Sequence, residues 1–246
     1  MIKRLISAIP NSITCCNLLS GALACIASFH QTEPDLLWGL NGLQLAWLLI
    51  AAATVFDFCD GMAARALHAY SAVGKELDSL ADLVSFGLAP GMMMFNLLDT
   101  HGAPAWAPYL CLFIPVIGAI RLARFNIDTR QTVSFIGLPI PSNAIFWIGY
   151  TAWLTGTSSP LNPDGVIAGW PLWLTVALVI GIALMMVSPL PMFSLKFKSM
   201  KPKVNAMRYF IIGAAMGLVS IFGVQGLALA IVLYILLSVI EWLRAS

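Results

Sequence analysis

Residues 57–82 read DFCDGMAARALHAYSAVGKELDSLAD, and the rest of the sequence is best understood from this stretch. It carries four aspartates, whereas the sequence on either side of it is almost unbroken apolar. A carboxylate beside the hydrocarbon region of a membrane costs free energy, so an ionisable residue kept there usually has a function. The first candidates for a functional site are therefore Asp57, Asp60, Asp78 and Asp82.

The spacing of the aspartates predicts that they converge. Residues three or four apart share one face of a helix, so the first two project from the end of one helix and the last two from the start of the next. If these helices form a hairpin, the carboxylates meet in a small volume. Like charges there repel and take up protons unless a cation holds them together. Hard oxygen ligands of this kind favour Mg²⁺ or Mn²⁺ over zinc or copper.

The complete pattern resembles the signature of the CDP-alcohol phosphatidyltransferase family. It runs Asp-x-x-Asp-Gly-x-x-Ala-Arg, eight further residues, then Gly-x-x-x-Asp-x-x-x-Asp, and every fixed position is matched. The resemblance implies that Asp57, Asp60 and Asp78 bind two metal ions and the diphosphate of CDP-diacylglycerol. It implies that Asp82 contacts the metal site and acts as the general base. The family positions that shape the nucleotide site are matched by Gly61, Ala64, Arg65 and Gly74.

Two of these residues have simpler alternatives. Asp78 is a residue type that often caps the N-terminus of a helix, although capping explains one aspartate and not the spacing of four. Arg65 fits an anchor at the level of the lipid head groups. For the two glycines, the absence of a side chain would let a ligand approach the backbone closely.

Composition predicts an all-α, polytopic integral membrane protein. The 246 residues are 60% hydrophobic and only 10% charged, with a mean hydropathy of +0.89, whereas soluble domains carry about 25% charged residues. We predict about eight transmembrane helices, with six to eight compatible with the sequence. The expected spans lie near residues 12–30, 38–67, 79–98, 104–124, 142–157, 166–187, 207–223 and 225–243. The residues before the first span are predicted to form an interfacial amphipathic segment.

The distribution of charge predicts the orientation in the membrane. With eight spans, every lysine and arginine falls at a terminus or in an even-numbered loop, and the opposite loops carry only acidic charge. By the positive-inside rule the basic side is cytosolic, so the aspartates should open to the cytosol, in a bacterial cytoplasmic (inner) membrane. We expect one membrane domain, with the family motifs in residues 1–145 and additional transmembrane helices in residues 146–246. Nucleic-acid binding is not expected, because the basic residues lie against the bilayer.

Flanking stretches narrow the resemblance to integral-membrane phosphatidylserine synthases within the family. These are residues 10–18 (PNSITCCNL), residues 78–90 (DSLADLVSFGLAP), residues 121–126 (RLARFN) and residues 137–141 (GLPIP). The activity so implied is transfer of a phosphatidyl group from CDP-diacylglycerol to L-serine, by a homodimer. The carboxylate of serine calls for an arginine, although arginines there also serve as membrane anchors. The candidate serine-binding residues are Arg121, Arg124, Asn126, Ser85 and Arg130.

Two alternatives stay open at this point. The same reaction could use another acceptor alcohol, such as glycerol 3-phosphate or an inositol phosphate, which would call for a denser cationic pocket. A carboxylate-lined cation transporter is the alternative from a different class. Transporters usually place the site near the midplane between repeated halves, and this sequence shows no second half.

Overall fold

The computed structural model describes residues 2–128, 135–156, 172–192 and 205–245, and these are almost entirely helical. The stretches long and apolar enough to cross a membrane are Ala8–Phe29, Gly42–Ala66, Ala72–Thr100, Ala107–Ile127 and Ala206–Arg244. The predicted all-α, integral membrane class is therefore confirmed. Among the described residues, these five stretches are long and apolar enough to cross a membrane. The predicted number of eight transmembrane helices stays a prediction.

The first of two compact units covers Met1–Leu122. Its elements are α1 (Ile2–Phe29), α2 (Gly42–Ala66), α3 (Ala72–Asp82), a π-helical segment (Leu83–Leu88), α4 (Ala89–Thr100), the short α5 (Ala107–Leu110) and most of α6 (Phe113–Ile127). Helix α1 packs along α2, α3, the π-helical segment and α4. It is therefore the centre of this unit, and side chains on its inner face reach both aspartate-bearing helices.

Helix α1 begins before the first predicted span. It runs without a break from Ile2 through that span, so the predicted interfacial segment is continuous with it, and its place at the membrane interface stays a prediction. Pro10 lies inside α1. The fixed backbone angle of proline is compatible with a helix, although its missing N–H removes one hydrogen bond.

The turn between α2 and α3 is built by local signals. After α2, His68 adopts φ +48°, the left-handed conformation that commonly ends a helix. Ser71 then caps α3, its hydroxyl oxygen accepting from the Gly74 N–H at 2.9 Å. Asp78 lies well inside α3 rather than at its start, so the alternative role of Asp78 as a helix cap is wrong.

Helix α3 continues through the π-helical segment into α4. The Ala89 N–H bonds to the Val84 carbonyl, five residues earlier, and Pro90 follows in the first turn of α4. A proline ring clashes with the carbonyl four residues before it, and the wider π turn relieves that clash. Insertions of this kind are frequent at functional sites, and this one begins directly after Asp82.

The second unit covers Ala123–Ser246. Its elements are β1 (Phe135–Ile136), α7 (Ile140–Thr155), α8 (Leu172–Val187), β2 (Pro191–Met192), α9 (Ala206–Phe222), a 3-10 turn (Gly223–Gln225) and α10 (Gly226–Ala245). The two short strands pair antiparallel. Helix α7 is largely buried and packs closely on α10, where a side chain at Gly149 would overlap the backbone of Ala228. The single membrane domain stays a prediction.

Candidate active site

Three of the four aspartates form a compact cluster. One carboxylate oxygen from each of Asp57, Asp60 and Asp78 lies within 4.8 Å of the others. The last turns of α2 supply the first two, and the middle of α3 supplies the third. Asp60 is buried, at 5% exposure, and the other two are half-buried. The predicted convergence is thus present for three of the four carboxylates, although Asp78 comes from the middle of α3 rather than from its start.

The cluster fits a divalent cation. Within the described residues, no salt bridge joins any of the four motif carboxylates to a lysine or an arginine. Adjacent anions without a countercharge repel one another. Asp57, Asp60 and Asp78 each direct one oxygen into the same small volume, so these residues would hold the cation. The donors are carboxylate oxygens, the ligand type that Mg²⁺ and Mn²⁺ prefer.

A pocket of about 430 Å³ opens directly over the cluster. Its walls contain the three clustered aspartates and all four residues matched to the nucleotide site. They also include Tyr70 and Lys75, which the sequence analysis did not select. Arg65 and Lys75 place two cationic groups at the wall of an otherwise acidic pocket. The pocket can therefore accept a ligand that carries both phosphate and apolar or aromatic groups.

Gly61 and Gly74 differ in what a side chain at each position would contact. A side chain at Gly61 would meet only the Arg65 guanidinium, at 3.4 Å or more, so its surface is open to the pocket. A side chain at Gly74 would lie 2.9 Å from both the Asn11 amide oxygen and the Ser71 hydroxyl. Gly74 therefore leaves room for the Asn11 and Ser71 side chains against α3, a packing reason beside the predicted access for a ligand.

Asp82 is not one of the three clustered carboxylates, although it is close enough to interact electrostatically with all of them. It is buried at 9% exposure and is not part of the pocket wall. One of its oxygens, Oδ1, accepts a hydrogen bond from the Asn17 amide at 3.3 Å. The structure thus groups three carboxylates at the pocket and places the fourth beside them, outside the pocket wall and hydrogen-bonded to α1.

Helix α1 supplies site residues that the sequence analysis did not single out. Thr14 is buried, and its hydroxyl donates to Asp60 Oδ2 at 2.5 Å. Asn11 lines the pocket, and Asn17 contacts Asp82. These residues are three apart and so share one face of the helix. The available signal was the stretch of residues 10–18, which carried part of the family resemblance but no assigned chemistry.

The candidate serine-binding residues are not brought together by the described contacts. Ser85 is fully buried and donates to the Asn17 backbone carbonyl at 2.9 Å, away from the pocket wall. Arg121 is also buried, at 6% exposure. Arg124 is exposed and donates to the Val187 carbonyl at 3.5 Å, and Asn126 is half-buried. Arg130 lies outside the described residues. Serine binding by this set stays a prediction.

Comparison with known proteins identifies the family. The sequence matches the CDP-alcohol phosphatidyltransferase family over residues 7–187. The chain belongs to this family. The match continues beyond residue 145, the limit expected for the family motifs.

Relatives of the chain carry the name CDP-diacylglycerol–serine O-phosphatidyltransferase, and three of them illustrate the range of similarity. The Bacillus subtilis (strain 168) protein is 38% identical over 54% of this chain and 69% of its own length. The Methanocaldococcus jannaschii protein is 37% identical over 60% of this chain and 62% of its own length. The Helicobacter pylori (strain 26695) protein is 30% identical over 95% of this chain and 90% of its own length.

Proposed function

We propose that this protein transfers the phosphatidyl group from CDP-diacylglycerol to L-serine, giving phosphatidylserine and CMP. The observation that carries the proposal is similarity along 95% of the chain to a protein named for this reaction. The acidic cluster beneath a pocket whose wall also carries Arg65 and Lys75 supports it independently. The pocket chemistry suits a nucleotide diphosphate whose negative charge is neutralised by metal ions.

The metal site in this proposal consists of the carboxylates that the structure groups together. Asp57, Asp60 and Asp78 would hold two divalent cations, Mg²⁺ or Mn²⁺, with Asp82 completing the site from its position beside them. When bound, the cations neutralise charge on the phosphoryl oxygens and on the leaving group. Thr14 holds Asp60 in place by its hydrogen bond.

The reaction requires one displacement and one proton transfer. The serine hydroxyl oxygen forms a bond to the lipid-linked phosphorus, and the bond from that phosphorus to the oxygen of CMP breaks. CMP leaves with the bonding electron pair, and the hydroxyl proton passes to the Asp82 carboxylate as general base. Arg65 and Lys75, at the pocket wall, would bind the diphosphate through charge-assisted hydrogen bonds. The open face of Gly61 leaves room for the nucleotide.

Serine needs a cation for its own carboxylate. We propose that this cation comes from the arginines of the α6 region, Arg121, Arg124 or Arg130, with Asn126 as a further polar contact. The planar guanidinium suits a carboxylate because it can donate two parallel hydrogen bonds. Substituting each arginine by lysine and measuring the KM for serine would identify the one that makes this contact.

The proposal also covers the membrane in which the protein lies and its oligomeric state. The protein is an integral membrane protein, and we propose the bacterial cytoplasmic membrane with the pocket facing the cytosol. The support is that lysine and arginine fall on one side of the predicted spans. A homodimer is proposed from the family resemblance. Cysteine labelling in intact cells and the mass of the detergent-solubilised protein test these two points.

The acceptor is the part of the proposal that needs a direct experiment. Purified protein is incubated with CDP-diacylglycerol, Mn²⁺ and one isotopically labelled acceptor at a time, and the product lipid is identified by mass spectrometry. We expect label from L-serine in phosphatidylserine, and none in lipid from glycerol 3-phosphate or inositol phosphate. A lipid product from another acceptor would overturn the assignment of serine but leave the family chemistry intact.

A further inference from the structure

Asn17 ties the buried Asp82 to the π-helical segment that follows it. The Asn17 side-chain nitrogen donates to Asp82 Oδ1 at 3.3 Å. The Asn17 backbone carbonyl accepts from the Ser85 hydroxyl at 2.9 Å. Asn17 and Ser85 are fully buried, and Asp82 is 9% exposed. One residue of α1 is thus joined to the α3–α4 helix at two points, on either side of the start of the π turn.

The Asn17 amide is oriented so that its nitrogen bonds to Asp82 while its own oxygen has no hydrogen-bond partner among the described residues. That oxygen, Oδ1, is buried. Burying an acceptor without a hydrogen bond costs free energy. If position 17 served only to pack helices together, an apolar residue there would be more stable than asparagine. An ionised carboxylate only accepts hydrogen bonds. The amide must therefore turn its nitrogen towards Asp82, which leaves its oxygen unpaired.

Close helix packing fixes this arrangement. Gly21 lies one turn after Asn17 on α1, and a side chain there would overlap Ser85. The backbone of α1 consequently rests directly on the π-helical segment, because small residues let helices approach closely in membranes. Asn17 cannot slide along the α3–α4 helix without breaking this contact, so its register with Asp82 is set.

We propose that Asn17, anchored by Ser85 and Gly21, is a positioning residue that orients the Asp82 carboxylate for proton transfer. This inference rests on the proposed function, in which Asp82 is the general base. The hydrogen bond from Asn17 to Asp82 Oδ1 fixes the plane of the carboxylate, and this sets the direction from which it can accept the proton of the attacking hydroxyl. The same contacts give Ser85 a role that does not require it to touch serine.

The test compares two asparagines on the same pair of helices. Asn96 of α4 is also buried, and its amide donates to the Ser28 hydroxyl of α1 at 2.8 Å. Asn17→Leu and Asn96→Leu each remove one buried amide that bridges α1 and the α3–α4 helix. Serine-dependent CMP release, the KM for CDP-diacylglycerol and the thermal unfolding midpoint are measured for full-length protein in detergent. Asn17→Gln tests whether an amide at this position restores activity.

We expect Asn17→Leu to lower kcat about 100-fold, the effect of misplacing a reacting group by about 1 Å, with an unchanged KM for CDP-diacylglycerol. Asn96→Leu should lower the unfolding midpoint similarly but keep kcat. Asn17→Gln should recover part of the lost kcat. A wild-type kcat in Asn17→Leu, or an equal loss in Asn96→Leu, would overturn the inference.

A second variant covers the case in which Asn17→Leu does not fold. Ser85→Ala removes the hydrogen bond to the Asn17 backbone but keeps the Asn17 and Asp82 side chains. We expect kcat to fall about tenfold with an unchanged KM for CDP-diacylglycerol. An unchanged kcat in Ser85→Ala would then overturn the inference. Absence of serine-dependent CMP release from folded wild-type protein would instead overturn the proposed function, so the two failures are distinguishable.

Discussion

Replacing Thr14 by valine should weaken metal binding without removing any proposed metal ligand. The Thr14 hydroxyl donates to Asp60 Oδ2 at 2.5 Å, and both side chains are buried, at 3% and 5% exposure. Valine has nearly the same shape but no donor. A hydrogen bond to a charged group contributes about 1.5–3 kcal/mol. If that free energy orients Asp60 for a cation, its loss lowers metal affinity by roughly 10–100-fold, as seen for residues that support metal ligands elsewhere.

The assay for Thr14→Val is a metal titration of serine-dependent CMP release, together with Mn²⁺ binding measured by electron paramagnetic resonance. The Mn²⁺ concentration for half-maximal activity should rise about 10–100-fold, and excess Mn²⁺ should restore most of the rate. Thr54→Val is the matched control, because the Thr54 hydroxyl of α2 donates only to its own helix, at the Ile50 carbonyl. An unchanged Mn²⁺ requirement in Thr14→Val, or a loss that excess Mn²⁺ does not restore, would refute this reasoning.

Further predictions concern the base and the glycine contacts. Asp82→Asn should lower the rate of CMP release about 100- to 10,000-fold while CDP-diacylglycerol still binds in a lipid-binding assay; a rate near wild type would remove Asp82 from the chemistry. Gly74→Ala places a methyl group against Asn11 and Ser71 and should raise the KM for CDP-diacylglycerol and lower the thermal unfolding midpoint. Gly217→Ala meets no atom within 4 Å and should leave both quantities unchanged. Gly149→Ala overlaps the α10 backbone and should destabilise the fold by about 1–3 kcal/mol, measured by denaturant unfolding; stability equal to wild type would contradict the close α7–α10 contact.

The clustering of Asp57, Asp60 and Asp78 was predictable from the sequence. Two carboxylates three apart on a helix must share a face, and the apolar surroundings indicated that such charges are kept for a purpose. The all-α membrane class was predictable from the long apolar stretches of the sequence. Both inferences depend on local periodicity or composition, which a single sequence carries in full.

The partners of the aspartates were not predictable in the same way. Periodicity identifies the face of α2 that carries Asp60, but not which other helix covers that face. Thr14 and Asn17 become site residues only because α1 packs against both aspartate-bearing helices. Ser85 likewise has a partner that the sequence did not indicate, because its hydroxyl donates to the backbone of α1. Its predicted contact with serine stays a prediction.

Element boundaries were also incompletely predicted. The first helix absorbs the expected interfacial segment because nothing in its first turns breaks it, Pro10 included. Asp78 was a possible cap by residue type, but Ser71 caps α3 and sets its start seven residues earlier. The π turn after Asp82 arises where a proline meets a continuous helix, and that outcome depends on the packing of the whole unit.

The role of the aspartate cluster is tested most directly by CMP release. Purified wild-type and Asp78→Asn protein are compared with CDP-diacylglycerol, L-serine and Mn²⁺. Asp78 belongs to the cluster that the structure places beneath the pocket. We expect release that requires both serine and Mn²⁺ in the wild type, stops when the metal is chelated, and is lost in Asp78→Asn that retains its thermal unfolding transition. Equal release by the two proteins, or none by folded wild type with any acceptor, would contradict the assignment of the aspartate cluster as the centre of a phosphatidyltransferase.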